Sequence, residues 1–183
     1  MNDLGTVELR TKRLVLRKYT IDDLVQVHEN WATDKLTSRF LSWNPHENIE
    51  ETKQLLTNWV SCYGQTNAYN WAVFLSDSVE YIGNISIVGR SRYEVCEVGY
   101  CYGSKYWGHG YATEALKEVC RFLLKDVKFK IVTCNYIIDN AESGRVMEKA
   151  GMKRDGVLRL RGYNKITGQL CDNIYYSILE NEL

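Results

Sequence analysis

The run Trp107-Gly108-His109-Gly110-Tyr111-Ala112-Thr113-Glu114 places two glycines one residue apart where an amphipathic helix begins. A helix start leaves its first backbone N–H groups without intrahelical partners and carries the positive end of the dipole. Glycines just ahead of it let an anion approach those N–H groups without meeting a Cβ. The chemistry on offer is the capture of a phosphorylated ligand by main-chain donors from Gly108 through Thr113. Two further groups carry chemistry. Asn140 and Ser143 sit one helical turn apart, on one face of a second helix. Glu97 opens the strand Glu97-Val98-Gly99-Tyr100-Cys101-Tyr102, and alternation puts it on a face with Gly99 and Cys101.

Each group also has a plain structural reading. The glycines make a tight turn onto a helix, Asn140 is an N-cap, Ser143 is a solvated hydroxyl, and Glu97 is a surface carboxylate. The chemical reading makes Glu97 a general base toward an incoming ammonium, directly or through water. An α-amine of pKa ~8 needs only a modest base, whereas a lysine near ~10.4 needs a stronger one.

The elements that position these residues follow from periodicity. Leu9 to Arg17 reads as one half-buried strand, and Thr20-Ile21-Asp22-Asp23 as the N-cap of a helix carrying Leu24, Val25, Val27 and Trp31. A second helix follows Pro45, with Ile49, Thr52, Leu55, Leu56, Trp59 and Val60 in one stripe. Residues 71–75 and 81–88 form a hairpin about Ser76-Asp77-Ser78, and the strand at 95–102 leads into the glycine loop. Helix 111–125, strand 131–138, the helix Asn140–Ala150 stopped by Gly151, and strands 153–162 and 170–179 complete the chain. The order β-α-α-β-β-β-α-β-α-β-β describes one α+β (α/β) domain over residues 1–183, a mixed sheet flanked by helices.

Composition narrows the function. In 183 residues, 45% hydrophobic and 25% charged, 23 Lys plus Arg balance 23 Asp plus Glu. No global field draws such a chain to nucleic acid or an anionic membrane, so phosphate binding has to be local. The six cysteines (62, 96, 101, 120, 134 and 171) contain no C-x-x-C pair and read as reduced, buried thiols. The three histidines (28, 46 and 109) are scattered, so no metal is expected. No signal-peptide core or membrane-length apolar run is present, and a cytoplasmic location is expected.

Three phosphate-loop types compete. The G-x-x-x-x-G-K-[ST] loop is absent, and the dinucleotide fingerprint fails because Thr113 stands where its third glycine belongs. The third type is a resemblance. Trp107-Gly108-His109-Gly110-Tyr111-Ala112 is similar to the acyl-CoA pyrophosphate loop of the GNAT superfamily of N-acetyltransferases, and to its RimJ/RimL branch in particular. Trp107 stands where the broader pattern has Gln or Arg. Leu9–Arg17 resembles the branch's opening strand, and Glu97–Tyr100 its strand before the loop. Asn140–Ser143 with Val146, Glu148, Lys149 and Gly151 resembles its second CoA-contacting helix, and Asp172 with Tyr175–Ser177 its last strand.

The resemblance implies a mostly antiparallel GNAT sheet and acetyl-CoA as co-substrate, with direct transfer to a primary amine such as a protein N-terminus. Gly108, His109, Gly110, Tyr111, Ala112 and Thr113 would hold the pyrophosphate. Main-chain groups of Tyr100, Cys101 and Tyr102 would grip pantetheine and thioester, and Asn140, counted with Glu97 and Ser143 among the catalytic candidates, would touch the pantetheine arm or hold a structural water beside it. Ser143 would protonate the leaving thiolate, because Met147 stands where many members carry a tyrosine. Lys105, Arg145 and Lys149 are candidates for the 3′-phosphate. Cys101 is read as a packing thiol and His109 as an exposed loop residue. Gly162 occupies the position nearest a glutamate found in members that act on ribosomal-protein tails, which argues against that substrate. Trp31, Arg39, Phe40, Trp43, Tyr63, Tyr69 and Trp71 divide between core and acceptor pocket. A homodimer is implied as well. The alternatives are a small-molecule amine acetyltransferase, a non-catalytic CoA-binding module, and an interaction domain in which the loop is a mere turn.

Overall fold

The computed structural model of the protein describes residues 2–183. Its strands are β1 (Leu9–Arg10), β2 (Leu14–Arg17), β3 (Asn70–Leu75), β4 (Tyr81–Arg90), β5 (Val95–Tyr102), β6 (Ile131–Ile137), β7 (Lys153–Asn164) and β8 (Gln169–Leu179). Its α-helices are α1 (Leu24–Val27), α2 (Ile49–Cys62), α3 (Tyr111–Phe122) and α4 (Ala141–Lys149). One sheet runs β1-β2-β3-β4-β5-β6-β8-β7, and only β5 and β6 are parallel neighbours.

The opening strand departs from expectation. Leu9 to Arg17 folds back on itself as a hairpin, with Leu9 opposite Leu16 and the Thr11 amide bonded to the Leu14 carbonyl. Period-2 alternation survives a tight reversal, so the pattern could not show it. The first helix is likewise broken: a 3₁₀ turn at 21–23, four α residues, then a wider turn closed by Thr33 N–H bonding to the His28 carbonyl. The remaining elements fall within a few residues of their expected ends. Gly151, at φ 95°, terminates α4 as the left-handed C′ residue.

Two apolar layers cover the sheet. On one face α3 and α4 pack Ala115, Leu116, Val119, Cys120 and Met147 against Leu14, Leu16, Val98, Val132 and Ile178. On the other, α1 and α2 pack Val27 and Leu56 against Ala72, Phe74 and Tyr81. Trp31, Tyr69 and Trp71 are core, whereas Phe40, Trp43 and Tyr63 are half-buried. The Lys165 ammonium, in the β7–β8 turn, bonds the Trp43 carbonyl at 2.5 Å and so ties that turn to the loop ahead of α2. All six cysteines are free; Cys62 is exposed and Cys101 and Cys171 are half-buried, so only three are fully buried thiols. Among the described residues no helix is long and apolar enough to cross a membrane, and no group of His, Cys, Asp and Glu could hold a metal ion.

Candidate active site

The glycine loop has the conformation its sequence requires. Gly108 and Gly110 both lie at φ 79°, the left-handed region that L side chains rarely adopt. Gly110 is the N-cap of α3, and Glu114 is the first amide to bond back, to the Gly110 carbonyl at 3.1 Å. The amides of Tyr111, Ala112 and Thr113 precede the first intrahelical bond and have no acceptor among the described residues. The helix therefore begins with a row of open donors at the positive end of its dipole. Trp107 anchors the loop's base through its indole N–H, 2.7 Å from the Tyr102 carbonyl. His109 is exposed and stacks on Tyr111.

An unforeseen clasp holds this loop from outside. Arg13, in the β1–β2 turn, donates from Nη1 to the His109 carbonyl at 3.0 Å and pairs with Glu114 at 2.7 Å. Glu114 also accepts from the Thr11 hydroxyl at 2.6 Å and the Arg13 amide at 2.9 Å. Burial by itself pushes the Glu114 carboxyl up, but the Thr11 and Arg13 donors outweigh it and hold it below its ordinary value. A lowered carboxyl stabilises the fold above the unfolded pKa of ~4.3, and that contribution is lost as pH falls through the folded value. Glu114→Gln is therefore expected to be less stable than wild type at neutral pH, with the gap closing in acid. Urea unfolding at both pH values checks this, and an equal gap at each would count against the clasp.

The strands ahead of the loop part. β5 and β6 pair only from Val95–Ile131 to Glu97–Thr133, although both continue beyond. Past that point side chains replace the ladder: the Cys134 thiol donates to the Val98 carbonyl at 2.9 Å. The Val98 and Tyr102 carbonyls thus turn away from β4, while the Gly103 amide bonds Ile82 on β4. By alternation the amides of Tyr100 and Tyr102 face the gap and that of Cys101 faces β4. This corrects the expected grip at Cys101, whose sulfur instead accepts the Trp31 indole N–H at 3.0 Å. Burial pushes that thiol up to about 12, which suits packing and not nucleophilic attack.

Helix α4 lies beside the gap. The Tyr100 hydroxyl crosses from β5 and donates to the Ser143 carbonyl at 2.8 Å. Tyr136 comes from β6 to rest against Gly144, where an added Cβ would lie 2.7 Å from its hydroxyl. Ser143 is half-buried, and its own hydroxyl bonds to nothing among the described residues. The Asn140 side chain makes no capping bond, contrary to the N-cap reading, and leaves its amide open. Met147 is fully buried in the core.

The charged candidates separate. Lys105 is engaged by Glu80 and Asn30, both at 3.0 Å, and is not free for a phosphate. Arg145 pairs with Glu142 on the surface at 2.6 Å. Lys149, at the far end of α4, lines a cleft with Thr11, Lys12, Glu114 and Lys117.

On the opposite face of the sheet, Glu97 stands where the strands begin to part and accepts from Asn135 Nδ2 at 2.9 Å. Helices α1 and α2 cover the β3–β5 side of that face, and beyond them Thr133, Asn135 and Tyr175 are half-exposed. Gly162 is crowded by side chains: an added Cβ would lie 2.7 Å from Ile137 and 2.9 Å from Asn173 Oδ1, so these would have to shift. Periodicity hid Arg13, because nothing local distinguishes its turn. Asn135 left a faint mark, as a polar residue inside the apolar run 131–138.

The acetyltransferase (GNAT) domain family matches residues 13–153. The uncharacterized N-acetyltransferase YoaA of Bacillus subtilis (strain 168) is 26% identical over 173 residues, 94% of this chain and 96% of its own. The [ribosomal protein uS5]-alanine N-acetyltransferase of Escherichia coli (strain K12) is 28% identical over 183 residues, covering 94% and 91%. The crystal structure of a GNAT-family acetyltransferase from Bacillus anthracis superposes with a TM-score of 0.83 at 26% identity, covering 96% of this chain and all of that one. With the family match running from the Arg13 clasp through the glycine loop and α4 to the first residue of β7, the chain belongs to the GNAT acetyltransferase family and is an N-acetyltransferase.

Proposed function

We propose that the protein transfers an acetyl group from acetyl-CoA directly to a primary amine, with a protein N-terminal α-amine as the acceptor. The observation that carries this reading is the row of open amides at the head of α3, set beside strands that part after Glu97. Amides from Gly108 to Thr113 take the pyrophosphate. The gap-facing amides of Tyr100 and Tyr102 hold the pantetheine and stabilise the oxyanion. The open side chain of Asn140 meets the pantetheine arm.

Glu97 removes a proton from the incoming ammonium. The freed amine attacks the thioester carbon, the C–N bond forms and the C–S bond breaks. The Ser143 hydroxyl passes its proton to the departing sulfur and takes up in its place the second proton, which the newly bonded nitrogen sheds. Holding amine and thioester on opposite sides of one gap provides the proximity term.

The candidate base is one carboxylate, Glu97, with the neutral amide of Asn135 beside it. That suits an amine of pKa ~8 better than a lysine. The Escherichia coli relative, named for an alanine of ribosomal protein uS5, supports an α-amine acceptor too. The crowding at Gly162 argues against a carboxylate there and so against an identical tail.

The test is thiol release from acetyl-CoA with a panel of N-terminal tetrapeptides, free amino acids and small amines. Release with the peptides is expected. Release with small amines alone would replace the acceptor assignment, and failure to bind CoA would overturn the donor assignment.

A further inference from the structure

Three polar residues on three strands form an unbroken chain on the sheet face opposite α3 and α4. Asn173 of β8 donates from Nδ2 to Asn135 Oδ1 at 3.0 Å, and Asn135 of β6 donates from Nδ2 to Glu97 Oε1 at 2.9 Å. The direction of both bonds is set by chemistry. An ionised carboxylate only accepts, so Asn135 has to turn its NH₂ toward Glu97 and its carbonyl toward Asn173. Asn173 in turn has to present its own NH₂. The two bonds together require one consistent orientation of both amides.

This arrangement leaves a defect at its far end. Asn173 is 8% exposed, and its Oδ1 is fully buried with no hydrogen-bond donor among the described residues. That oxygen lies beside Gly162, where an added Cβ would come within 2.9 Å of it. A buried carbonyl without a partner is costly, and rotating the amide would only exchange it for a broken link to Asn135. An apolar side chain of the same size would remove the defect altogether. What Asn173 provides that such a side chain would not is the donor bond from its Nδ2 to Asn135.

We propose that Asn135 and Asn173 are positioning residues, an amide relay that fixes the Glu97 carboxylate toward the parted strands for proton removal from the amine. The relay rests on the assignment of Glu97 as base. Asn135 acts on Glu97 directly. Asn173 acts through Asn135, by denying it the flipped orientation in which its carbonyl would face the carboxylate.

Asn173→Leu in the full chain tests this, because leucine keeps the volume while deleting both the relay bond and the orphan oxygen. Three readouts apply: Tm, the side-chain ¹H–¹⁵N signals of Asn135, and thiol release from acetyl-CoA with the best amine of the panel. The expected result is an unchanged or higher Tm, Asn135 side-chain signals collapsed toward those of a freely rotating amide, and kcat lowered about tenfold with KM for acetyl-CoA unchanged. In a Glu97→Gln background the same substitution should lower kcat no further.

A lowered Tm with kcat unaltered would make Asn173 merely structural and overturn the proposal. So would Asn135 signals that do not move, and that result needs no active acceptor. Full turnover in Glu97→Gln alone would instead remove the base assignment, a failure distinguishable because the Asn135 signals report the hydrogen bonds whatever Glu97 does.

Discussion

Gly110→Pro is expected to weaken CoA binding about 10- to 100-fold, measured by calorimetric titration of the full chain. Two effects combine at one residue. Proline removes the Gly110 amide, one donor to phosphate, and a hydrogen bond to a charged group is worth about 1.5–3 kcal/mol. Proline also locks φ near −65°, whereas Gly110 stands at φ 79°, so the start of α3 has to turn and carry the next amides with it. Gly108→Ala is the control. It has the same φ, but an added Cβ there meets nothing within 4 Å. Only the left-handed backbone cost of roughly 1–2 kcal/mol applies, and every donor is kept. Unchanged affinity in Gly110→Pro would refute the cradle.

The second large effect is expected on turnover. Ser143→Ala should lower kcat about 100-fold while CoA affinity changes little. Proton transfer by a positioned side chain contributes ~10² to 10⁴. The lower end applies because a thiol of pKa ~8.5 already leaves readily near neutral pH. The substitution is clean: the hydroxyl has no partner within the described residues, and the Tyr100 bond goes to the Ser143 carbonyl, which alanine keeps. Steady-state kinetics with the best amine of the panel, beside calorimetry with CoA, separates the two quantities. Equal losses in both would argue that Ser143 binds and does not donate a proton.

The two predictions concern parts of the site that differ in origin. The glycine loop is a local object. Its φ values, its open amides and the dipole behind them all arise within seven residues, 107–113, so type and spacing foretold them. Ser143 and Asn140 were legible for the same reason, since one helical turn fixes their common face. The Asn140 cap was not, because a side chain able to cap its helix is equally able to point toward a ligand. Which it does depends on packing beyond the helix.

Everything that trims and holds the site came from distant residues. The single strand expected over Leu9–Arg17 is a hairpin, and its turn delivers Arg13 to Glu114, 101 positions away in sequence. Lys105 is taken up by Glu80, in the β3–β4 loop. Cys101 turns its amide to β4, because the parity of β5 is set by its pairing with that strand. The residue at 147, open to view in the sequence as a departure from the family, is simply core.

By itself, then, the sequence determined the order of elements and the form of the glycine loop, through short-range periodicity and helix-end chemistry, while its resemblance to the GNAT superfamily pointed to the class of chemistry. Only the tertiary structure decided how the loop is clasped, which strand amides face the gap, and how Glu97 is held. Those depend on contacts such as Asn173 to Asn135 and Asn135 to Glu97, each spanning 38 residues. Such pairs carry no periodic signal, and folding alone brings them together.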